Sequence, residues 1–174
     1  MKAIDSKILK KFLKLAADAL KGDWLLVGGT VLPALGHEYR VTTDIDLVSL
    51  KDFPQSESLK LMEIAEKLSL PVESINQAAA FFVHKQPDLE KHLIELQRGK
   101  KAVIYRPDGV LFLRLKTARL TETDLSDCLR YLKIDADLDR KLAIKDLKKE
   151  MSKEVSDERR QRLMRLLEEL ERAK

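Results

Sequence analysis

The chain has few of the features that build secreted or membrane-spanning proteins. Cys128 is the only cysteine among its 174 residues, so no internal disulfide can form. The sequence shows neither a signal peptide nor an apolar stretch long enough to span a bilayer. We therefore expect a cytoplasmic protein that does not bind a membrane.

Aromatic residues are also scarce, at 5% of the chain, whereas charged residues make up 36%. This composition predicts a well-solvated surface, and the length fits one domain with a helical appendage and a sizeable core. The net charge is only +4. A patch for a nucleic-acid backbone and scattered solubilising charge explain the basic residues equally well. The candidates for such a patch are Lys10, Lys11, Lys14, Lys91, Arg98, Lys100 and Lys101.

A glycine turn follows the first apolar run of the chain. Trp24 to Val27 predicts a short buried strand, and Gly28 and Gly29 come directly after it. Paired glycines adopt backbone angles closed to other residues and let a phosphate approach main-chain N–H groups. The turn is therefore a candidate phosphate contact.

A short helix is expected after this turn. Thr30 is a suitable cap, the apolar run from Val31 to Leu35 can pack on a sheet, and Gly36 is suited to end the helix. Such a helix would direct its positive N-terminal end toward an anion above the glycines.

Two aspartates alternate with apolar residues in the next segment. Asp44 and Asp46 flank Ile45, and Leu47 follows. Side chains two apart on a strand project to one face, so the carboxylates are expected side by side, with Ile45 and Leu47 on the opposite face. Adjacent carboxylates repel, and a hard divalent cation with oxygen ligands relieves the repulsion. Magnesium is the natural candidate, with manganese as its substitute.

The segment from Val27 to Leu50 resembles the signature of the nucleotidyltransferase superfamily, in which a Gly-Gly or Gly-Ser turn precedes Asp-x-Asp. The subtype that it resembles most is that of the AbiEii-like and MenT-like toxin nucleotidyltransferases. The resemblance implies an α/β, polymerase beta-like fold with a small mixed sheet flanked by helices and a helical C-terminal region. It is carried by Gly28, Gly29, Thr30, Gly36, Arg40, Thr43, Asp44 and Asp46.

A second block is similar to the lysine and aspartate helix pair that follows the core in those proteins. It runs from Leu113 to Arg119 and from Thr123 to Asp127. Thr123 stands where the family often has an arginine, so both Asp124 and Asp127 are candidates for the functional aspartate. The resemblance implies that Lys116 contacts a triphosphate oxygen, and a solvated surface charge is the alternative for this lysine.

The superfamily usually draws a third carboxylate from a later strand. Glu95 lies in an alternating run from His92 to Leu96, but an exposed strand glutamate fits that pattern equally well. The resemblance implies that Asp44 and Asp46 hold the metal ion. The third carboxylate then deprotonates the attacking hydroxyl or helps to hold a second ion.

The implied reaction transfers a nucleoside monophosphate from an NTP to a hydroxyl and releases pyrophosphate. The toxin branch implies an RNA acceptor, such as the 3′ end of tRNA, and an antitoxin protein as partner. AMP transfer to a protein side chain is one alternative, and a non-catalytic nucleotide- or partner-binding module is another. The implied nucleotide contacts are Gly28, Gly29, Thr30, Arg40, Thr43, Lys116 and Asp124.

The histidines do not suggest a different site. His37, His84 and His92 lack the spacing and the cysteine partners of a zinc site, so surface or core positions are expected.

Periodicity predicts the remaining elements. Ser6 to Leu20 and Ser56 to Leu68 have helical spacing, with Ser6 as the first N-cap, whereas Ala78 to Val83 is too short to assign between helix and strand. The strands predicted over Ala102 to Tyr105 and Val110 to Leu115 flank a Pro-Asp-Gly turn and form a hairpin.

The C-terminal part is predicted to be helical. Helical spacing begins after Thr121, and Ser156 is expected to cap the final helix. We place a nucleotidyltransferase core with its N-terminal helix in residues 1–115 and a helical region in residues 116–174.

Overall fold

The computed structural model describes residues 3–51, 55–134 and 137–172. The chain divides into two compact units after Pro107, so the division falls eight residues before the boundary that the sequence suggests at residue 115. Each unit has a hydrophobic core of its own.

The N-terminal unit contains a five-stranded mixed sheet with the order β3-β2-β1-β5-β4. The pairs β1–β5 and β2–β3 are parallel, whereas β1–β2 and β4–β5 are antiparallel. A small mixed sheet flanked by helices confirms the predicted α/β class. The strands are β1 (Gly22–Val27), β2 (Ile45–Ser49), β3 (Ile75–Asn76), β4 (Leu93–Arg98) and β5 (Ala102–Pro107).

Among its described residues, the same unit has four α-helices. They are α1 (Ser6–Ala19), α2 (Val31–Ala34), α3 (Gln55–Lys67) and α4 (Ala80–Val83). The predicted α3 is thus confirmed, with each end shifted by one residue. The short run that the sequence leaves open is helical.

Helix α1 begins one residue earlier than its predicted cap implies. Asp5 is the N-cap, and its carboxylate accepts a hydrogen bond from the Ile8 N–H at 2.7 Å. Ser6 is the first helical residue, and its hydroxyl donates to the Pro33 carbonyl at 3.1 Å. The prediction of Ser6 as the cap is wrong because the preceding aspartate is an equally good cap and lies where the chain enters the helix.

The predicted hairpin after β5 is also wrong in its second half. Val110 to Leu115 lies in a helix, α5 (Gly109–Thr117), and β5 instead pairs with β4. Asp108 caps α5, since its Oδ1 accepts from the Leu111 N–H at 2.8 Å. An aspartate before a glycine suits a turn and a helix start equally well, and here the helix is formed.

The C-terminal unit is helical, as predicted. Leucines form most of its core, together with Cys128 and Ala143. Ser156 lies just before the last helix, and its hydroxyl accepts from the Arg159 N–H at 3.4 Å. The remaining helices are α6 (Glu122–Ile134), α7 (Arg140–Met151) and α8 (Asp157–Arg172). Within the described ranges, no helix is both long and apolar enough to cross a membrane.

Candidate functional site

Strand β1 ends in a turn that requires glycine. Gly28 has φ +70, in the left-handed region, and Gly28 to Thr30 form one turn of 3-10 helix. Thr30 occupies the N-cap position of α2, as predicted, but its side chain makes no capping hydrogen bond, since its hydroxyl donates back to the Val27 carbonyl at 3.1 Å. Gly36, with φ +83, follows α2 as predicted. Since α2 is a single turn of four residues, it contributes little helix dipole to an anion above the glycines.

The carboxylate of Asp46 packs against this turn. The antiparallel register of β1 and β2 pairs Asp46 with Val27, the residue before Gly28. A Cβ atom at Gly28 would lie only 1.8 Å from Oδ2 of Asp46. Gly28 therefore leaves the space that the carboxylate occupies, and the glycine turn and the Asp-x-Asp segment form one site.

The predicted alternation around Asp46 is confirmed. Asp46 is half-buried, whereas Ile45 and Leu47 on either side are fully buried. Asp44 is exposed and lies just before β2, so its predicted position within the strand is wrong. Strand pairing with β1 extends only as far as Val27, where the chain turns away, and Asp44 lies beyond that pairing.

Arg40 lies against the second glycine. A Cβ atom at Gly29 would stand 2.5 Å from Nη2 of Arg40 and 3.3 Å from Oγ1 of Thr42. Thr42 is buried, and its hydroxyl also donates to the Asp44 carbonyl at 3.4 Å. Thr42 therefore faces the turn. Thr43, the threonine that the sequence suggests as a nucleotide contact, is half-buried, and none of the three atoms nearest to a Cβ at Gly29 belongs to it.

The turn thus carries charges of both signs close together. The Arg40 guanidinium lies at Gly29 and the Asp46 carboxylate at Gly28, one residue apart along the chain. A cation beside a glycine turn is suited to phosphate oxygens, and a carboxylate is suited to a hard metal ion. Such an arrangement fits a ligand that contains both phosphate groups and a metal ion, such as a metal-bound polyphosphate.

Asn76 is a further residue next to Asp46. The parallel register of β2 and β3 pairs Asp46 with Asn76, and residues paired across neighbouring strands project to the same face of the sheet. The Asn76 Oδ1 accepts from the Ala78 N–H at 2.8 Å. No local pattern in the sequence singles out Asn76, because β3 is only two residues long.

The structure does not bring Glu95 to the two aspartates. Glu95 lies on β4 at the edge of the sheet, and β5 and β1 separate that strand from β2. At about 4.8 Å per strand, the separation is roughly 14 Å. The Glu95 carboxylate instead accepts from Arg98 Nε at 3.0 Å, and this hydrogen bond lowers the pKa of Glu95. Throughout the described ranges, no group of three or more His, Cys, Asp or Glu side chains is arranged to hold a metal ion.

The remaining predicted residues lie together in the C-terminal unit. Lys116 Nζ donates to Asp127 Oδ2 at 2.6 Å and to Asp124 Oδ1 at 3.1 Å. All three side chains are buried. The resemblance implies a triphosphate contact for Lys116, but its ammonium group is already bound by two carboxylates in this unit.

Asp124 also fixes the start of α6. Its carboxylate accepts from the Thr121 N–H at 3.0 Å, while the Thr121 hydroxyl accepts from the Asp124 N–H at 3.2 Å. This reciprocal pair is a capping box with aspartate in the acidic position. Arg119 completes the cluster with two hydrogen bonds to Asp124, at 2.9 and 3.1 Å.

These contacts set the charge states in the cluster. Burial opposes ionisation of Asp124, but hydrogen bonds from Arg119 and Thr121 and the charge of Lys116 outweigh it and hold the pKa well below its ordinary value. Burial raises the pKa of the neighbouring Cys128 thiol. Lys116, Asp124 and Asp127 are therefore accounted for as a buried ionic cluster.

No protein-family model, curated protein or solved structure matches the chain.

Proposed function

We propose that the chain has the nucleotidyltransferase fold and transfers a nucleoside monophosphate from an NTP to a hydroxyl group. The observation that carries this proposal is the packing of Asp46 against Gly28 and of Arg40 against Gly29. Two sequence motifs, separated by more than ten residues, form a single site that has a phosphate-binding part and a metal-binding part.

The donor set fits magnesium or manganese. Asp46 offers carboxylate oxygens, which together with substrate phosphates are the ligands that Mg²⁺ prefers, and the space left by Gly28 holds this carboxylate at the turn. When bound, the ion would neutralise charge on the triphosphate and stabilise the leaving pyrophosphate. We assign Asp46 as the principal ligand because the register of β1 and β2 fixes its position.

The protein side chains supply positioning and a proton acceptor. The N–H groups of the glycine turn and the Arg40 guanidinium bind triphosphate oxygens. The acceptor hydroxyl oxygen forms a bond to the α-phosphorus, the bond from this phosphorus to the bridging oxygen breaks, and pyrophosphate leaves. The hydroxyl proton passes to Asp44, whose exposed carboxylate is open to an incoming acceptor.

The proposed acceptor is RNA, with the 3′ end of tRNA as the first candidate. It rests on the resemblance to the toxin nucleotidyltransferases, which also suggests an antitoxin protein as partner. A protein side chain is the alternative hydroxyl.

Label transfer tests the proposal. The protein is incubated with each α-labelled NTP in turn, with magnesium or manganese, and with total RNA or total protein as acceptor. We expect label on RNA with the wild type, and a loss of at least about a hundredfold in the Asp46→Asn variant, as for removal of a principal electrostatic group. Label on protein would identify a protein side chain, rather than RNA, as the acceptor. Full activity of Asp46→Asn would contradict the assigned site.

A second function is favoured by one observation. The position next to Asp46 on β3 holds an amide, Asn76, and Glu95 is remote from the pair. A site with two carboxylates and no third is also suited to a module that binds a metal-bound nucleotide without turnover. Binding of a manganese-bound NTP, with no label in any reaction, would establish this second function.

A further inference from the structure

Helix α1 has a row of lysines on its solvent-facing side. Lys7, Lys10, Lys11 and Lys14 follow the spacing i, i+3, i+4, i+7, which places them on one helical face, and all four are exposed. The opposite face of α1 is in the core. At 1.5 Å per residue, the lysines extend over about 10 Å of the helix.

These lysines are not neutralised by ion pairs. Within residues 3–51, 55–134 and 137–172, none of the four has a carboxylate partner within ion-pair distance. By contrast, two basic residues of the patch considered from sequence are paired: Lys91 lies 3.1 Å from Asp88, and Arg98 is paired with Glu95. The row on α1 thus differs from ordinary paired surface charge.

Two more lysines are fixed beside the end of α1. Lys100 and Lys101, both exposed, lie in the turn between β4 and β5. The Lys101 N–H donates to the Ala17 carbonyl at 3.3 Å, and the Lys100 N–H donates to the Asp18 carboxylate at 3.0 Å. A Cβ atom at Gly99 would lie 2.3 Å from the Ala17 backbone, so the turn sits closely on the helix.

We propose that these six residues, the lysine surface, bind the sugar-phosphate backbone of an RNA. The inference deepens the proposed function, because it gives the RNA acceptor a contact surface. The lysine surface comprises Lys7, Lys10, Lys11, Lys14, Lys100 and Lys101.

The composition of the surface favours a nucleic-acid backbone over a protein or membrane partner, and the proposed function selects RNA. Protein interfaces are depleted in lysine and enriched in aromatic residues, and no large hydrophobic side chain is exposed on α1. An amphipathic helix binds a membrane through its apolar face, but that face of α1 is buried in the core. A dense row of unpaired ammonium groups is suited to phosphates, which need no apolar contact.

The test measures how RNA binding depends on salt. Full-length protein is titrated into fluorescein-labelled, unfractionated tRNA without NTP or divalent metal, between about 50 and 200 mM salt. The test variant is Lys7→Gln/Lys10→Gln/Lys11→Gln/Lys14→Gln. The matched control, Lys141→Gln/Lys145→Gln/Lys149→Gln/Lys153→Gln, also removes four exposed positive charges. Circular dichroism checks that both variants are folded.

We expect the slope of log K against log salt to fall in magnitude by up to about 3.6 in the test variant, since each phosphate contact contributes about 0.7 to 0.9. Lys100→Gln/Lys101→Gln should lower its magnitude by up to about 1.8. A smaller change is expected for the control. No tRNA binding by the wild type, an unchanged slope in the test variant, or an equal change in the control would overturn the inference.

Failure of the proposed function gives a different result. The wild type is therefore also assayed for label transfer with each NTP, alongside the tRNA titration. Binding that depends on the lysine surface, without any label transfer, would support the inference and refute catalysis.

Discussion

Gly28 is the residue at which the geometry of the proposed site is most sensitive. Its positive φ makes any side chain strained, and its missing Cβ leaves room for the Asp46 carboxylate. Gly22 has a similar φ, +85, but nothing lies within 4 Å of its missing Cβ. Comparing substitutions at Gly22 and Gly28 therefore distinguishes the effect of backbone strain from the effect of displacing the Asp46 carboxylate.

We expect Gly28→Ala and Gly22→Ala to lose about 1 to 2 kcal/mol of stability each from the left-handed backbone. Only Gly28→Ala should also displace the Asp46 carboxylate and abolish label transfer. Urea unfolding measures the first effect and the transfer rate measures the second. Equal transfer by the two variants would show that the Asp46 position does not matter for the reaction.

Asn76 is the second residue that tests the site. Asn76→Asp adds a carboxylate next to Asp46, so we expect tighter Mn²⁺ binding and, without metal, lower stability from repulsion of like charges. Gln77→Glu adds the same charge one residue beyond β3 and should change neither the Mn²⁺ affinity nor the stability without metal in this way. Electron paramagnetic resonance of free Mn²⁺ reports the affinity. The same gain in both variants would mean that general charge, rather than the Asn76 position, controls metal binding.

Among the elements, α5 and α6 are joined by the buried ionic cluster. Removing Lys116 leaves the Asp127 carboxylate buried without its ammonium partner, and such losses cost about 3 to 5 kcal/mol. We therefore expect Lys116→Met to lower the free energy of unfolding by this amount, with part of it restored in Lys116→Met/Asp127→Leu. The Michaelis constant for NTP should not change in the folded enzyme. A raised constant without loss of stability would instead support the triphosphate contact.

The capping box at α6 adds a dependence on pH. The folded-state pKa of Asp124 lies below its ordinary value of 3.8, so its contribution to stability is full above that value and is lost as the pH falls toward the folded-state pKa. Between about pH 5 and pH 2, the urea midpoint should fall more steeply for the wild type than for Asp124→Asn. If the urea midpoints of the two proteins fell in parallel with pH, Asp124 would not contribute to the loss of stability in acid.

Local elements could be predicted from sequence because their signals lie within a few residues. The apolar run of β1 and the periodicity of α3 are such signals, and both elements form. The strand predicted over Val110 to Leu115 was wrong because the local signal at Asp108 suits the start of a turn and the start of a helix equally well.

At the scale of the whole molecule, strand order is the property that sequence patterns do not contain. Glu95 has the alternation expected of a site strand, but β4 pairs at the far edge of the sheet. Asn76 lies beside Asp46 only through the pairing of β2 with β3. The glycine turn and Asp46 were predictable as neighbours because they are close in sequence, whereas the position of Asn76 beside Asp46 depends on the sheet.

The division into two units also separates two groups of predicted residues. Gly28, Arg40 and Asp46 belong to the first unit, and Lys116 and Asp127 belong to the second. Each group has its own explanation within its unit, one as a candidate site and the other as a buried ionic cluster. The central claim therefore concerns the first unit.

The most direct test of that claim is Mn²⁺ binding in the presence of a non-hydrolysable NTP, measured by electron paramagnetic resonance for the wild type and for Asp46→Asn. We expect the wild type to bind the ion together with the nucleotide and the variant to lose at least about tenfold in Mn²⁺ affinity, which corresponds to about 1.4 kcal/mol. Equal affinities for the two proteins would contradict the assignment of the glycine turn and Asp46 as a metal-nucleotide site.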